Sequence, residues 1–239
     1  MIQVKNRQIS PPNSLSEKRN YDGEDVKIAL SNLSTGCKCV YCERLLPKLD
    51  EKNTDKLRAI EHFYPKELYP NKKFEWKNLF WICKNCNSKK LYFDTGKEPF
   101  VHPENDNPED YFEYDACHQI KPAQNSPNKI ASENTIEKTM TSGTIRYVSS
   151  FFEMFIELQN ELEKKIKAYK KAKEVNKRNL LKEFLIALED LRNFGDSPQP
   201  YAGRRRFLIR CSNAIQEIIQ EINNNLELLN LTEPFEWKW

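Results

Sequence analysis

Apolar residues in the second half of the chain fall at steps of three and four. Phe151, Phe155, Leu158, Leu162, Ile166 and Tyr169 make one such stripe, the spacing that gathers apolar side chains on one face of a helix. Leu181, Phe184, Leu188 and Leu191 mark a second helix, ended by Gly195, Pro198 and Pro200. Leu208, Cys211, Ile215, Ile218, Ile222 and Leu226 mark a third, long helix. The pattern predicts an antiparallel helical bundle in residues 131–239.

The first half is patterned differently. Residues 1–22, with Pro11 and Pro12, read as an extended arm, and Asp25 to Leu33 as a short helix, so that 1–36 precede the next domain. Ala59 to Phe63 reads as a strand, Trp76 to Ile82 as a turn and a second strand, and Cys83 to Lys90 as a knuckle opening a helix. From 92 to 130 periodicity fails and Pro99, Pro103, Pro108, Pro122 and Pro127 punctuate the chain. That stretch is predicted to wrap over a surface rather than form a core. The class is α+β, with a compact domain over 37–130.

The cysteines sharpen this picture. Cys39/Cys42 and Cys83/Cys86 share the Cys-x-x-Cys spacing, which on two tight knuckles can close a tetrahedral zinc site with Zn–S near 2.3 Å. Such a metal supplies folding energy that a segment this short cannot draw from its own core. Cys37 leaves three thiols for two places, and the matching two-residue spacer favours Cys39. Cys117 falls in a loop and Cys211 on an apolar stripe, and neither is assigned a role. Seven cysteines is an odd count, which argues against a disulfide framework. With no apolar leader and no run long enough to cross a bilayer, the expected compartment is the cytoplasm, where thiols stay reduced.

Net charge is only +3, with 31% charged residues, so the chain is no polycation and any nucleic-acid surface is local. Arg204, Arg205 and Arg206 form the one concentrated basic run, open to phosphate, an acidic partner or solvent. Within the cysteine frame stand Glu61 and His62, a carboxylate beside an imidazole whose ordinary pKa suits a general base. His102 and His118 lie in the irregular stretch and are assigned nothing.

Strand, strand and helix carrying His62, Asn78 and Asn87 in that order resemble the HNH nucleases and their ββα-metal core, many of which carry flanking zinc-binding cysteine pairs. The resemblance covers about residues 39–91. It implies His62 as the base that activates water, Asn78 as the residue holding strand and loop in register, and Glu61 with Asn87 as ligands of a catalytic Mg²⁺ or Mn²⁺. It also places Lys66, Lys89 and Lys90 near flanking phosphates. Asn78 equally suits a turn cap, and Asn87 a helix N-cap.

Further segments, Cys-Val-Tyr-Cys-Glu (39–43), Glu-His-Phe-Tyr-Pro-Lys (61–66), Trp-Lys-Asn-Leu (76–79), Cys-Asn-Ser-Lys-Lys (86–90) and Phe-Val-His-Pro-Glu-Asn-Asp-Asn-Pro-Glu-Asp-Tyr-Phe (100–112), resemble the HNH subunits of Septu-type and retron-associated anti-phage systems. That resemblance implies an effector nuclease cutting DNA or tRNA beside an ABC-type ATPase, with the helical domain as the partner-binding part and no membrane contact. A zinc-stabilised nucleic-acid- or protein-binding module without catalysis, and a stand-alone HNH endonuclease, are the competing readings.

Overall fold

A computed structural model describes the chain apart from residues 2, 5, 6, 8, 9, 19, 35, 36, 51–55, 116–118, 140–144, 197–200, 238 and 239, and apart from the side chains of 145–151. Cys117, His118 and the side chain of Phe151 therefore lie outside the described residues. The chain divides into two compact units, Met1–Thr144 and Ile145–Trp239. The fold mixes helices with two small antiparallel sheets.

The first unit is built on β1 (Arg58–His62) and β2 (Leu79–Cys83), paired antiparallel with Glu61 opposite Phe80 and His62 opposite Leu79. All five residues of β2, Leu-Phe-Trp-Ile-Cys, are buried. An unbroken apolar strand of this kind needs cover on both faces. Helix α1 (Asn13–Ser16) leads into α2 (Glu24–Leu33), which packs on β2 through Val26 and Leu30, one turn apart. Glu24 and Asp25 at its N-terminus favour the positive end of its dipole, and Asp25 also accepts from the Ser14 amide at 3.0 Å, tying α1 to α2. Helix α3 (Lys84–Lys90) follows β2 without a loop and packs against both strands.

Residues 92–130 depart from expectation. They form α4 (Pro108–Tyr111) and a second sheet of β3 (Phe112–Tyr114) and β4 (Ile120–Pro122), and they send Phe100, Val101 and Phe112 into the core. Helix α5 (Lys129–Lys138) also belongs to this unit, which moves the boundary from the expected 130/131 to 144/145. The reason is polar: Thr135 Oγ1 accepts from the Val101 amide at 2.9 Å, Asn134 Nδ2 donates to the Pro99 carbonyl at 2.9 Å, and the Thr139 carbonyl accepts from Cys86 Sγ at 3.1 Å. A helix anchored through polar groups carries no apolar stripe to announce it.

The second unit packs α6 (Ile145–Lys171), α7 (Glu174–Gly195), α8 (Ala202–Cys211), α9 (Asn213–Asn224) and α10 (Leu226–Leu229) around one core. Phe155, Leu162, Ile166 and Tyr169 of α6 and Leu181, Phe184, Leu188 and Leu191 of α7 are buried there. The expected third helix is three pieces. Ser212 breaks it with an extended backbone and caps α9, its Oγ accepting from the Ile215 amide at 3.4 Å. The break shifts the helical phase, so Cys211, expected on the apolar stripe, is exposed. The arginine run packs locally: Arg206 Nε donates to the Gly195 carbonyl at 2.8 Å and Arg205 to Phe194 at 3.4 Å. These are carbonyls at the C-terminus of α7, where cations are favoured. No helix among the described residues is long and apolar enough to cross a membrane.

Candidate metal centre and adjoining cleft

Two knuckles bring four thiols together. On the first, the Cys39 amide donates to the Arg44 carbonyl and the Glu43 amide to Cys39, both at 2.9 Å, with Glu43 in the left-handed region at φ 60°. On the second, Cys83 ends β2 and caps α3, its sulfur accepting from the Cys86 amide at 3.4 Å. The Val40 amide reaches the Trp81 carbonyl at 3.2 Å, fastening the first knuckle to β2. The sulfurs of Cys39, Cys42, Cys83 and Cys86 all lie within 4.8 Å of one another, and those of Cys42 and Cys83 are 3.8 Å apart. A tetrahedral zinc thiolate requires about 3.8 Å between sulfurs, so the cluster fits a structural metal such as zinc. Cys37 stands outside it, which decides the register in favour of Cys39.

Ionisation within the cluster is uneven. Hydrogen bonds from neighbouring thiols hold Cys83 and Cys42 below the ordinary thiol range; burial drives Cys39 up, and its neighbours drive Cys86 up. Four adjacent thiols cannot all become thiolates without a cation between them.

Glu61, His62 and Asn87 line one cleft of about 210 Å³, together with Lys66, Leu91 and Tyr92. His62 ends β1, and its Nε2 lies 3.0 Å from the Lys73 carbonyl. A carbonyl only accepts, so the neutral ring carries its proton on Nε2 and keeps its lone pair on Nδ1. Burial pulls the His62 pKa down to about 4 against the opposing pull of the Lys73 carbonyl, so the ring is neutral at pH 7. The Tyr21 ring stands edge-on at 4.7 Å, and its hydroxyl accepts from Lys66 Nζ at 2.6 Å.

Asn78 is buried and acts as a clamp. Its Oδ1 accepts from the Tyr64 amide at 2.7 Å, and its Nδ2 donates to the carbonyls of Tyr64 and Lys72 at 3.1 and 3.0 Å. It thereby joins the start of the β1–β2 connection to its middle, next to the carbonyl that orients His62. Arg7 holds the far side of the same turn, donating to the carbonyls of Trp76 and Leu79 at 2.7 and 3.0 Å.

Asn87 is half-buried on α3, whose N-cap is Cys83. Lys89 is exposed on the same helix. Lys90, expected near phosphate, is instead sealed inside, where its ammonium meets Glu61 Oε1 at 2.5 Å and the carbonyls of His62 and Phe63 at 3.1 and 2.9 Å. The Glu61 carboxyl is raised above its ordinary range by burial, against the pull of Lys90. Neither Tyr21 nor the inward turn of Lys90 was anticipated. Tyr21 leaves no local signal, whereas Lys90 stands three residues after Asn87, on the same helical face.

Over 86 residues the chain is 44% identical to the Septu protein PtuB of Bacillus thuringiensis. The two share a homologous segment. It spans 36% of this chain and 31% of PtuB. No family model matches the chain, and no solved structure does.

Proposed function

We propose that this chain is a divalent-cation-dependent HNH endonuclease, with residues 58–90 as its ββα-metal core, serving as the effector of a Septu-like anti-phage system. The observation that carries the reading is the convergence of Glu61, His62 and Asn87 on one cleft beside a four-thiol cluster. His62 Nδ1 takes the proton of the attacking water, a task for which an unprotonated imidazole is already in place. The Lys73 carbonyl fixes the tautomer, and Asn78 fixes the loop that carries that carbonyl.

Glu61 and Asn87 are the residues that would hold the cation. A carboxylate and a carboxamide are hard oxygen donors, which suit Mg²⁺ or Mn²⁺ better than zinc. When bound, such a cation stabilises charge on the phosphate and leaving oxygens. In this reading Lys66, in the cleft wall, and exposed Lys89 meet flanking phosphates. The segment shared with PtuB supports the defence setting. An ABC-type ATPase docked on the second unit is the partner this reading assigns.

The test uses the purified chain and its His62→Ala variant with Mn²⁺ or Mg²⁺ on plasmid, single-stranded DNA and total tRNA. Cleavage by the first and not the second is expected, and it also identifies the substrate. Zinc-loaded chain that cuts none of them, even when co-purified with an ATPase encoded beside it, would leave a binding module in place of a nuclease.

A further inference from the structure

The Lys90 ammonium engages three consecutive residues: it pairs with the Glu61 carboxylate at 2.5 Å and donates to the carbonyls of His62 and Phe63. The rings of Phe63 and Phe100 lie 5.9 and 5.8 Å from the ammonium, and its side chain is 0% exposed. Lys90 is therefore a fixed charge behind the cleft. Asn87 lies one turn earlier on the same face of α3, so this helix offers the cleft a neutral ligand and places a cation at its back.

The charges around the cleft cancel. Glu61 is offset by Lys90, and Glu67 stands beside Lys66 at 3.9 Å. Hard divalent cations draw their affinity from anionic oxygen, and Mg²⁺ in particular is commonly held by one or two carboxylates plus substrate phosphate. Here both carboxylates of the cleft lining, Glu61 and Glu67, stand beside ammonium groups, and the missing negative charge has a natural source in the nucleic-acid backbone.

We propose that Lys90 is a positioning residue that makes cation and nucleic-acid backbone bind as an interdependent pair, neither occupying the cleft well without the other. This rests on the nuclease reading of the cleft and extends it to how the site is kept inactive. Without nucleic acid the site holds little cation, and loading of the cation waits for phosphate. The coupling is reciprocal: whatever factor phosphate adds to cation affinity, the cation adds to phosphate affinity.

The experiment measures Mn²⁺ binding by electron paramagnetic resonance on the zinc-loaded His62→Ala chain. It is done with and without a short single-stranded oligonucleotide, whose own Mn²⁺ uptake is subtracted. Roughly tenfold or greater tightening by the oligonucleotide is expected, within the usual range of coupling between sites. Adding Lys90→Met should tighten Mn²⁺ binding to the protein alone and shrink the coupling, whereas Lys90→Arg should keep it. A merely structural role for Lys90 would lower stability without moving the coupling.

Equal Mn²⁺ affinity with and without oligonucleotide overturns the proposal while leaving the nuclease reading intact. So does a coupling unchanged in Lys90→Met. Absence of Mn²⁺ binding in both conditions overturns both readings. The first comparison needs no change at Lys90, so a Lys90→Met chain that fails to fold leaves the test standing.

Discussion

Replacing Asn78 tests how the cleft is held in shape. Its side chain makes three hydrogen bonds at 2.7 to 3.1 Å and is 2% exposed. At about 1 kcal/mol net for each bond, Asn78→Ala should cost about 3 kcal/mol. More is lost where the Tyr64 amide is left buried without an acceptor. Asn78→Asp is nearly isosteric and keeps the bond from Tyr64 N–H, yet it turns a carboxylate oxygen toward two carbonyls that now receive no donor. The aspartate should therefore be the less stable of the two, an order opposite to what size alone dictates. Urea unfolding of the zinc-saturated chain measures both, since a constant metal level keeps linkage from distorting the comparison. Because Asn78 holds Lys72, beside the carbonyl that orients His62, any nuclease activity should fall by about a hundredfold or more, the cost of misplacing a reacting group by about 1 Å. Asn78→Ala within about 0.5 kcal/mol of the parent, or an aspartate more stable than the alanine, would refute this reasoning.

Two further outcomes follow from named groups. Chelation of zinc, or Cys86→Ser, should unfold the first unit's core, while Cys37→Ser should retain the metal because Cys37 stands outside the cluster; metal content and tryptophan fluorescence report both. His102 packs on Phe63 and Phe80 at ring distances of 4.3 and 5.5 Å, and burial lowers its pKa to about 4. Between its unfolded value near 6.5 and that folded value, the unfolded chain binds a proton that the native one refuses, so stability falls as pH falls. From pH 7 to 5.5 the loss is about 1 kcal/mol, and urea midpoints over that window should slope less in His102→Gln.

What could be read from the sequence was what repeats locally. Paired Cys-x-x-Cys spacing shows within a few residues, and so do β1 with His62, the turn with Asn78 that opens β2, and α3 with Asn87. Stripes of period near 3.6 announced α6 and α7. Non-local contacts were hidden. Phe100, Val101 and Phe112 are buried because α5 returns with Thr135 to hold their stretch, and no window of the sequence contains both. The break at Ser212 did carry a signal, a capping residue inside an apolar repeat, but the repeat on either side masked it. Lys89 and Lys90 are the same residue type side by side, and only helical phase relative to Asn87 separates the exposed one from the buried one.

That same helix explains why structural metal and cleft should fail together. Helix α3 has seven residues, well short of the roughly 12–15 that an isolated helix needs even for marginal stability in water. Its start is fixed by Cys83 and Cys86, whose sulfurs belong to the cluster, and its next residues toward the cleft are Asn87 and Lys90. Removing zinc frees the first turn, and a helix this short cannot keep its later turn in place without it. Asn87 then leaves the cleft, and Lys90 releases Glu61 and the carbonyls of His62 and Phe63 in one step. The thiol cluster thus acts on the cleft through a single turn of helix, and loss of metal should abolish cation binding there.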